Sequence, residues 1–261
     1  MADGIINVYK EKGYTSHDVV AKMRGILKQK KIGHTGTLDP MAEGVLPVCL
    51  GNGTKLCDLL ADRTKTYRAV LLLGLETDTQ DTTGVTLAEY SVAVTEEEVK
   101  AAVLSFLGDY DQVPPMYSAL KVNGKKLYEL AREGIEIERK ARTVHFYEIS
   151  ILEVKLPLVR MEVTCSKGTY IRTLCHDIGE KLGCHGCMEQ LIRTRVGQFD
   201  RNGAHTLDEI AAIVGEGRLS EILVPVDEMF AALRSFATAD DHAKKLAENG
   251  NPLKPAQIRE I

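Results

Sequence analysis

The chain has 261 residues, 44% of them hydrophobic and 27% charged, with 22 Gly, 8 Pro and no Trp. That is enough for one large or two ordinary domains with a real core, and the near-average composition excludes a disordered, collagen-like or disulfide-scaffold protein. The net charge of −4 weighs against a nucleic-acid partner on its own, since phosphate binding draws on clustered Lys and Arg.

The apolar stretch Ile5–Tyr9 is too short and interrupted for a signal-peptide core. The longest apolar runs, such as Ala69–Leu73, fall far below the ~18 residues of a membrane span. Six scattered cysteines are too sparse for a disulfide framework and read as thiols of a cytoplasmic protein. Thr15–Lys28 reads as a helix, with Thr15 and Asp18 as a capping box and Val19, Val20, Met23 and Leu27 at helical spacing. The following KIGHTGTLDPMAEG, with three Gly and a Pro, reads as a loop. VLPVCLG reads as a buried strand, TKLCDLLAD as a helix, and TYRAVLLLG as a strand buried on both faces. Thr95–Leu107 is the firmest helix, opened by a Thr95/Glu98 capping box and ended by Gly108. A turn at Asn123-Gly124 leads to a short helix closed by Gly134. Residues 143–155 and 158–165 read as an antiparallel pair joined at Leu156-Pro157. Thr169–Leu182 is helical again, with Ile171, Leu174, Cys175, Ile178 and Leu182 as its buried stripe. The irregular order of strands and helices, without a βαβ repeat, predicts an α+β fold with a mixed sheet.

Charge is unevenly spread. Residues 1–72 carry 11 basic and 7 acidic side chains, residues 73–115 one and nine, and residues 116–145 seven and four. KMRGILKQKKIGH and ALKVNGKKL are thus basic islands, and an anion-binding face stays open.

The loop GHTGTLDP, residues 33–40, concentrates unusual features. Gly33 and Gly36 permit close approach of backbone to a ligand, and Pro40 biases Asp39 toward an extended conformation. The plain alternative is a tight turn whose Asp bonds its own backbone. GNGTK at 51–55 has the wrong spacing for a phosphate-binding Walker loop.

Four segments in order, KIGHTGTLDPMAEGVLPVCLGNGTK (31–55), KTYRA (65–69), PPMYSALKVNGKKLYELAREG (114–134) and SKGTYIRTL (166–174), resemble the bacterial tRNA pseudouridine-55 synthases of the TruB family. The resemblance runs from about residue 4 to about residue 230. It implies the pseudouridine synthase fold, α+β with a mixed, largely antiparallel sheet flanked by helices. It also implies isomerisation of a uridine in the T loop of tRNA without metal or cofactor; the compartment expected from the thiols is the cytoplasm, and a monomer is the default, with the oligomeric state left open by the sequence.

By that resemblance Asp39 is the nucleophile, whether it attacks ribose C1′, the uracil ring, or acts through a glycal. In every version it starts ionised. Desolvation beneath a bound base opposes this, so a fixed cation is expected; Arg172 matches the family's partner for the carboxylate and cannot lose its proton in a protein. Tyr67 matches the tyrosine that stacks on the target uracil and is a candidate for proton abstraction, and an extruded base offers a π-face for it. Tyr170 matches a second site tyrosine, Leu191 an apolar residue lining the pocket, and Lys55 a basic residue near it. His34 matches a residue that wedges into the T loop to free the uridine. Tyr117 and Lys121–Lys126 match an arm that closes on the RNA, its lysines contacting phosphates. Without the motifs these residues read as a sheet tyrosine, a core leucine, a solvated lysine, an exposed turn histidine and a solvated face.

Cys184, His185 and Cys187, with His176 a helix away, superficially suggest zinc, but one CxxC without a second pair is a weak signal. Residues 1–230 are expected to form the catalytic domain. Residues 231–261, polar and acidic, resemble the opening of a PUA-like RNA-binding module, too short to close a barrel and therefore expected to be incomplete. The rival reading is a tRNA-binding chaperone without catalysis, against which the Asp39, Tyr67 and Arg172 set counts.

Overall fold

The computed structural model describes residues 2–122, 124–231 and 236–260. The chain divides into two compact units, residues 1–223 and 224–261.

The first unit is built on a large, mostly antiparallel sheet. Its early elements are β1 (Gly4–Lys10), α1 (Ser16–Leu27), β2 (Ile32–His34), β3 (Glu43–Leu50), α2 (Cys57–Ala61), β4 (Lys65–Leu73), and the short hairpin β5 (Leu75–Thr77) with β6 (Thr86–Glu89). Next come α3 (Glu96–Leu104), β7 (Gly108–Gln112), β8 (Lys121–Val122), β9 (Lys125–Lys126) and α4 (Leu127–Arg132). The long hairpin β10 (Arg142–Lys155) and β11 (Leu158–Cys165), α5 (Ile171–Leu182), β12 (Gly186–Val196), β13 (Phe199–Asp200) and α6 (Leu207–Gly215) complete it. The sheet path runs β1-β3-β12-β4-β11-β10-β7, with β2 paired to β3 and β13 to β12. β12 lies parallel to β3 and antiparallel to β4, which makes the sheet mixed. Among the described residues no helix is long and apolar enough to cross a membrane.

Local sequence explains the helices. Thr15 and Asp18 exchange both capping-box bonds, and Lys28 closes α1 in the left-handed conformation. α1 and α6 pack Val19, Val20, Met23, Leu207 and Ile210 against Ile6, Val8, Leu46 and Val48 of β1 and β3. α3 and α5 supply Val99, Val103, Leu174 and Ile178 to a second core over β4, β11 and β10. The stripe expected on α5 is buried at Ile171, Leu174, Cys175 and Ile178, with Gly183 stopping the helix at φ 70°. α3 ends earlier than expected: Ser105 is its C-cap and Leu107 is exposed.

The loop expected over 31–44 contains β2, which pairs Ile32–His34 with Leu50, Cys49 and Val48. Asn123 of the expected turn lies outside the described residues; its flanks β8 and β9 form a two-stranded ladder, with Gly124 at φ 84°.

The second unit contains a helix, Asp241–Glu248, whose first turn is capped by Asp240 accepting from Ala243 N at 2.7 Å. Strand Phe236–Thr238 pairs antiparallel with Ile258–Glu260.

Candidate active site

Residues 35–42 connect β2 to β3 and are tied down at nearly every step. Leu38 N donates to Ser16 Oγ at 2.9 Å, and Gly13 N donates to the Pro40 carbonyl at 2.8 Å. Lys10, fully buried on β1, donates from Nζ to the carbonyls of Ala42 at 2.7 Å, Glu11 at 3.1 Å and Pro40 at 3.3 Å. Burial pushes the Lys10 pKa down to about 8. Leu38 and Ala42 are both core residues, anchoring the chain on either side of Asp39. The rigidity expected from Pro40 is thus imposed by tertiary contacts. Asp39 itself projects, with its side chain 41% exposed, so a substrate can reach the carboxylate.

Arg172 stands in the first turn of α5. That helix start has no side-chain cap; instead Gln112 accepts from Tyr170 N at 2.8 Å and donates to Tyr170 O at 3.1 Å. The Arg172 side chain is 5% exposed, with Nε 3.0 Å from Asp39 Oδ2. Its Nη1 donates to Thr79 O at 2.9 Å and lies 3.8 Å from Asp81 Oδ2, while Nη2 donates to Tyr117 O at 2.8 Å. The guanidinium is therefore fixed on several sides, with one edge presented to Asp39. The 79–83 segment is itself ordered: Asp81 Oδ1 accepts from Thr79 Oγ1 at 2.8 Å and Thr83 N at 2.9 Å, and Thr82 N donates to Met188 O of β12 at 3.1 Å.

Tyr67 on β4 is 7% exposed and shares a core cluster with Leu38 and Leu191, the latter 8% exposed on β12. Burial raises the pKa of the Tyr67 phenol, with the Arg193 charge acting in the opposite direction. Tyr170, at the N-cap of α5, has its pKa raised by burial as well, and both phenols feel the negative charge of Asp39. The structure thus brings Asp39, Arg172, Tyr67, Tyr170 and Leu191 to one place.

His34 stands at the entrance to the loop, where Gly36 N donates to its Nδ1 at 3.3 Å and His17 meets its ring edge-on at 5.5 Å between centroids. Burial, then His17 and Arg193, lower its pKa, so the ring is neutral at neutral pH. Lys55 is exposed on the 3₁₀ turn Gly51–Leu56, and among the described residues no hydrogen bond or ion pair joins it to Asp39.

Tyr117 donates its hydroxyl to Asp78 Oδ2 at 3.1 Å. Beyond it Lys121 and Lys125 are exposed, with Lys125 3.5 Å from Glu133. Cys184 and Cys187 are buried, and the His185 ring stacks on Tyr90 at 3.9 Å. Among the described residues no group of three or more His, Cys, Asp or Glu is placed to hold a metal ion.

Sequence reasoning missed Lys10, Ser16, Asp81 and Arg193. Lys10 ends the interrupted apolar run Ile5–Tyr9, but with Glu11 and Lys12 after it, it reads as one charge of a solvated turn. Asp81 was hidden in a segment read only as acidic.

The assembly sets a reachable carboxylate against a fixed cation, with the buried Tyr67 and half-buried Tyr170 phenols close enough to feel its charge. Such preorganised charge is effective where water is excluded. Comparison with known proteins agrees with this chemistry. Residues 24–171 match the TruB family pseudouridylate synthase N-terminal domain, and residues 172–231 the tRNA pseudouridylate synthase B C-terminal domain. A tRNA pseudouridine synthase B from Lachnoclostridium phytofermentans is 57% identical over 260 residues, covering 96% of this chain and 84% of the relative. One from Alkaliphilus oremlandii is 49% identical over 251 residues, covering 96% and 83%. Among solved structures, a Cbf5-Nop10-Gar1 complex contains a chain superposing with TM-score 0.77 at 30% identity, covering 98% of this chain and 70% of that one. With both family domains present in order and near half or more of the residues shared with such relatives, the chain belongs to the TruB family of pseudouridylate synthases.

Proposed function

We propose that this protein converts the uridine at position 55, in the T loop of tRNA, to pseudouridine, with Asp39 as nucleophile. The observation that carries the reading is the half-open Asp39 carboxylate held 3.0 Å from a buried Arg172. The flipped uracil lies against Tyr67 and Leu191 with Tyr170 beside it, in a pocket that replaces the stacking lost on extrusion. Attack at C1′, attack on the ring and a glycal route all begin from an ionised Asp39, and Arg172 supplies the permanent charge that favours it. Tyr67, stacked on the base, is the candidate to remove the proton from C5 as the new bond forms. His34, a planar ring at the loop entrance, wedges into the opened T loop, Lys121, Lys125 and Lys126 contact phosphates, and Lys55 is a basic residue near the pocket.

The enzyme works as a monomer in the cytoplasm. Residues 1–230 are the catalytic domain, and residues 231–261 belong to a PUA-like RNA-binding module.

The test is tritium release from T-arm RNA labelled with 5-[³H]uridine. Wild type releases the label and Asp39→Asn, still binding the RNA, does not. Equal release from both removes Asp39 from the chemistry; RNA binding by wild type without any release favours a tRNA chaperone.

A further inference from the structure

Arg193 is among the largest fully buried side chains of the protein, at 1% exposure. It lies at the middle of the sheet, where β12 runs between β3 and β4, facing Gly44 on one side and Tyr67 on the other. The approach to β3 is so close that a Cβ on Gly44 would meet the Arg193 carbonyl oxygen at 2.1 Å. A guanidinium in such a place is costly to desolvate, a cost commonly offset by a carboxylate. Among the described residues no carboxylate lies within salt-bridge distance of Arg193, whereas Arg172 has two.

The partners it does have all belong to the active-site frame. Nε donates to Val45 O at 2.7 Å, just past Gly44, where the β3–β12 ladder ends. Nη2 reaches Gly36 O at 3.3 Å, in the turn that leads to Asp39. Across the β12–β4 ladder it is the direct register partner of Tyr67, and its positive charge bears on the phenol. Gly36 has φ +148°, and a Cβ there would lie 3.7 Å from Arg193 Nη1, so the turn is laid directly over the guanidinium. One rigid, planar group thus connects the turn carrying the nucleophile to the side chain that stacks on the base.

We propose that Arg193 is a positioning residue for the isomerisation, fixing the Tyr67 hydroxyl and the Gly36 turn to each other so that Asp39 and the stacked base meet in reactive register. The planar fork is what suits it, because its donors point in fixed, divergent directions that a lysine ammonium reproduces only in part. The inference rests on Asp39 and Tyr67 being the reacting pair.

The test is a double-mutant cycle on the single-turnover rate with T-arm RNA, using Arg193→Gln, Arg193→Lys, Tyr67→Phe and the Gln/Phe and Lys/Phe double variants, with RNA affinity measured alongside. A group that holds reacting parts in register is expected to cost about 10²-fold when removed. Arg193→Gln should therefore lower the rate about 100-fold with RNA affinity changed less than threefold, and Arg193→Lys should recover about tenfold of the loss. In the Tyr67→Phe background the further loss from Arg193→Gln should shrink to threefold or less. Losses that multiply, or rate and affinity falling together in proportion to a lowered melting temperature with no recovery by Lys, overturn the proposal. If Arg193→Gln does not fold, Arg193→Lys alone and in the Tyr67→Phe background decides by the same criterion. A Tyr67→Phe enzyme as fast as wild type would instead remove the role of the Tyr67 hydroxyl, a separate failure.

Discussion

The Asp39 loop and the lysine arm beyond Tyr117 are built in opposite ways. Residues 35–42 are held by bonds from β1, the first turn of α1 and β12, with core side chains on both sides of the one exposed carboxylate. The 121–132 region contains a two-rung ladder and a six-residue helix, and among the described residues its lysines meet local partners, Glu133 and Tyr128. The first arrangement suits chemistry, in which reacting groups must be in place before substrate arrives. The second suits attraction of a polyanion, which needs charge but little precision. Substitutions in the loop frame should therefore change the rate of the chemical step, and substitutions in the arm should change RNA affinity.

The comparison is tested most strongly at Arg172. Arg172→Gln removes the only cation paired with Asp39 among the described residues and leaves Asp39 and Asp81 facing each other. The single-turnover rate should fall about 10³-fold, the scale of losing one preorganised electrostatic partner, with RNA affinity nearly unchanged. A loss expressed mainly in affinity would break the division. Lys10→Met deprives three carbonyls of their donor and should slow single turnover about tenfold to 100-fold, as expected for a misplaced reacting group. In the arm, Lys121→Ala with Lys125→Ala should weaken RNA binding several-fold, leave the rate at saturating RNA unchanged, and reduce the slope of log affinity against log salt by about 1.5. An unchanged slope would remove the arm from the RNA interface.

The smallest effect concerns stability. Lys65, 8% exposed on β4, donates to Ala61 O and Arg63 O, and burial pushes its pKa down to about 8. Between pH 8 and 10 the unfolded chain holds a proton on this lysine that the folded protein releases, so its contribution to stability rises with pH in that window. Replacing Lys65 by Met should flatten the rise in denaturation midpoint between pH 8 and 10, by roughly 1–2 kcal/mol of unfolding free energy. A rise as steep as in wild type would contradict the lowering of the Lys65 pKa by burial.

How legible these regions were depends on the range of the forces that build them. α1 and α5 could be read from Thr15, Asp18, Gly183 and the spacing of their apolar residues, because caps and stripes are local. β12 could not. Register shifts between Met188 and Gln190 and between Arg193 and Arg195 break its period-two pattern, and a buried arginine at its middle reads as a solvent-facing charge. Within the site, Asp39, Tyr67 and Arg172 were found through motifs. Their supports were invisible for the same reason as β12: the bond from Arg172 to Thr79 O spans 93 residues and that from Arg193 to Val45 O spans 148. The same division separates the constraints on the loop itself. Pro40 is local and visible, whereas Lys10, Ser16 and Arg193 act only once the sheet has formed.

The most direct test of the central claim is the structure of the protein bound to a T-arm hairpin with its target nucleoside trapped in the site. The expected result is a flipped base on Tyr67 with an Asp39 carboxylate oxygen within about 3.5 Å of ribose C1′ or of a ring carbon, the reach of a near-attack geometry. A carboxylate far from both the sugar and the ring, with its bond to Arg172 intact, would contradict it.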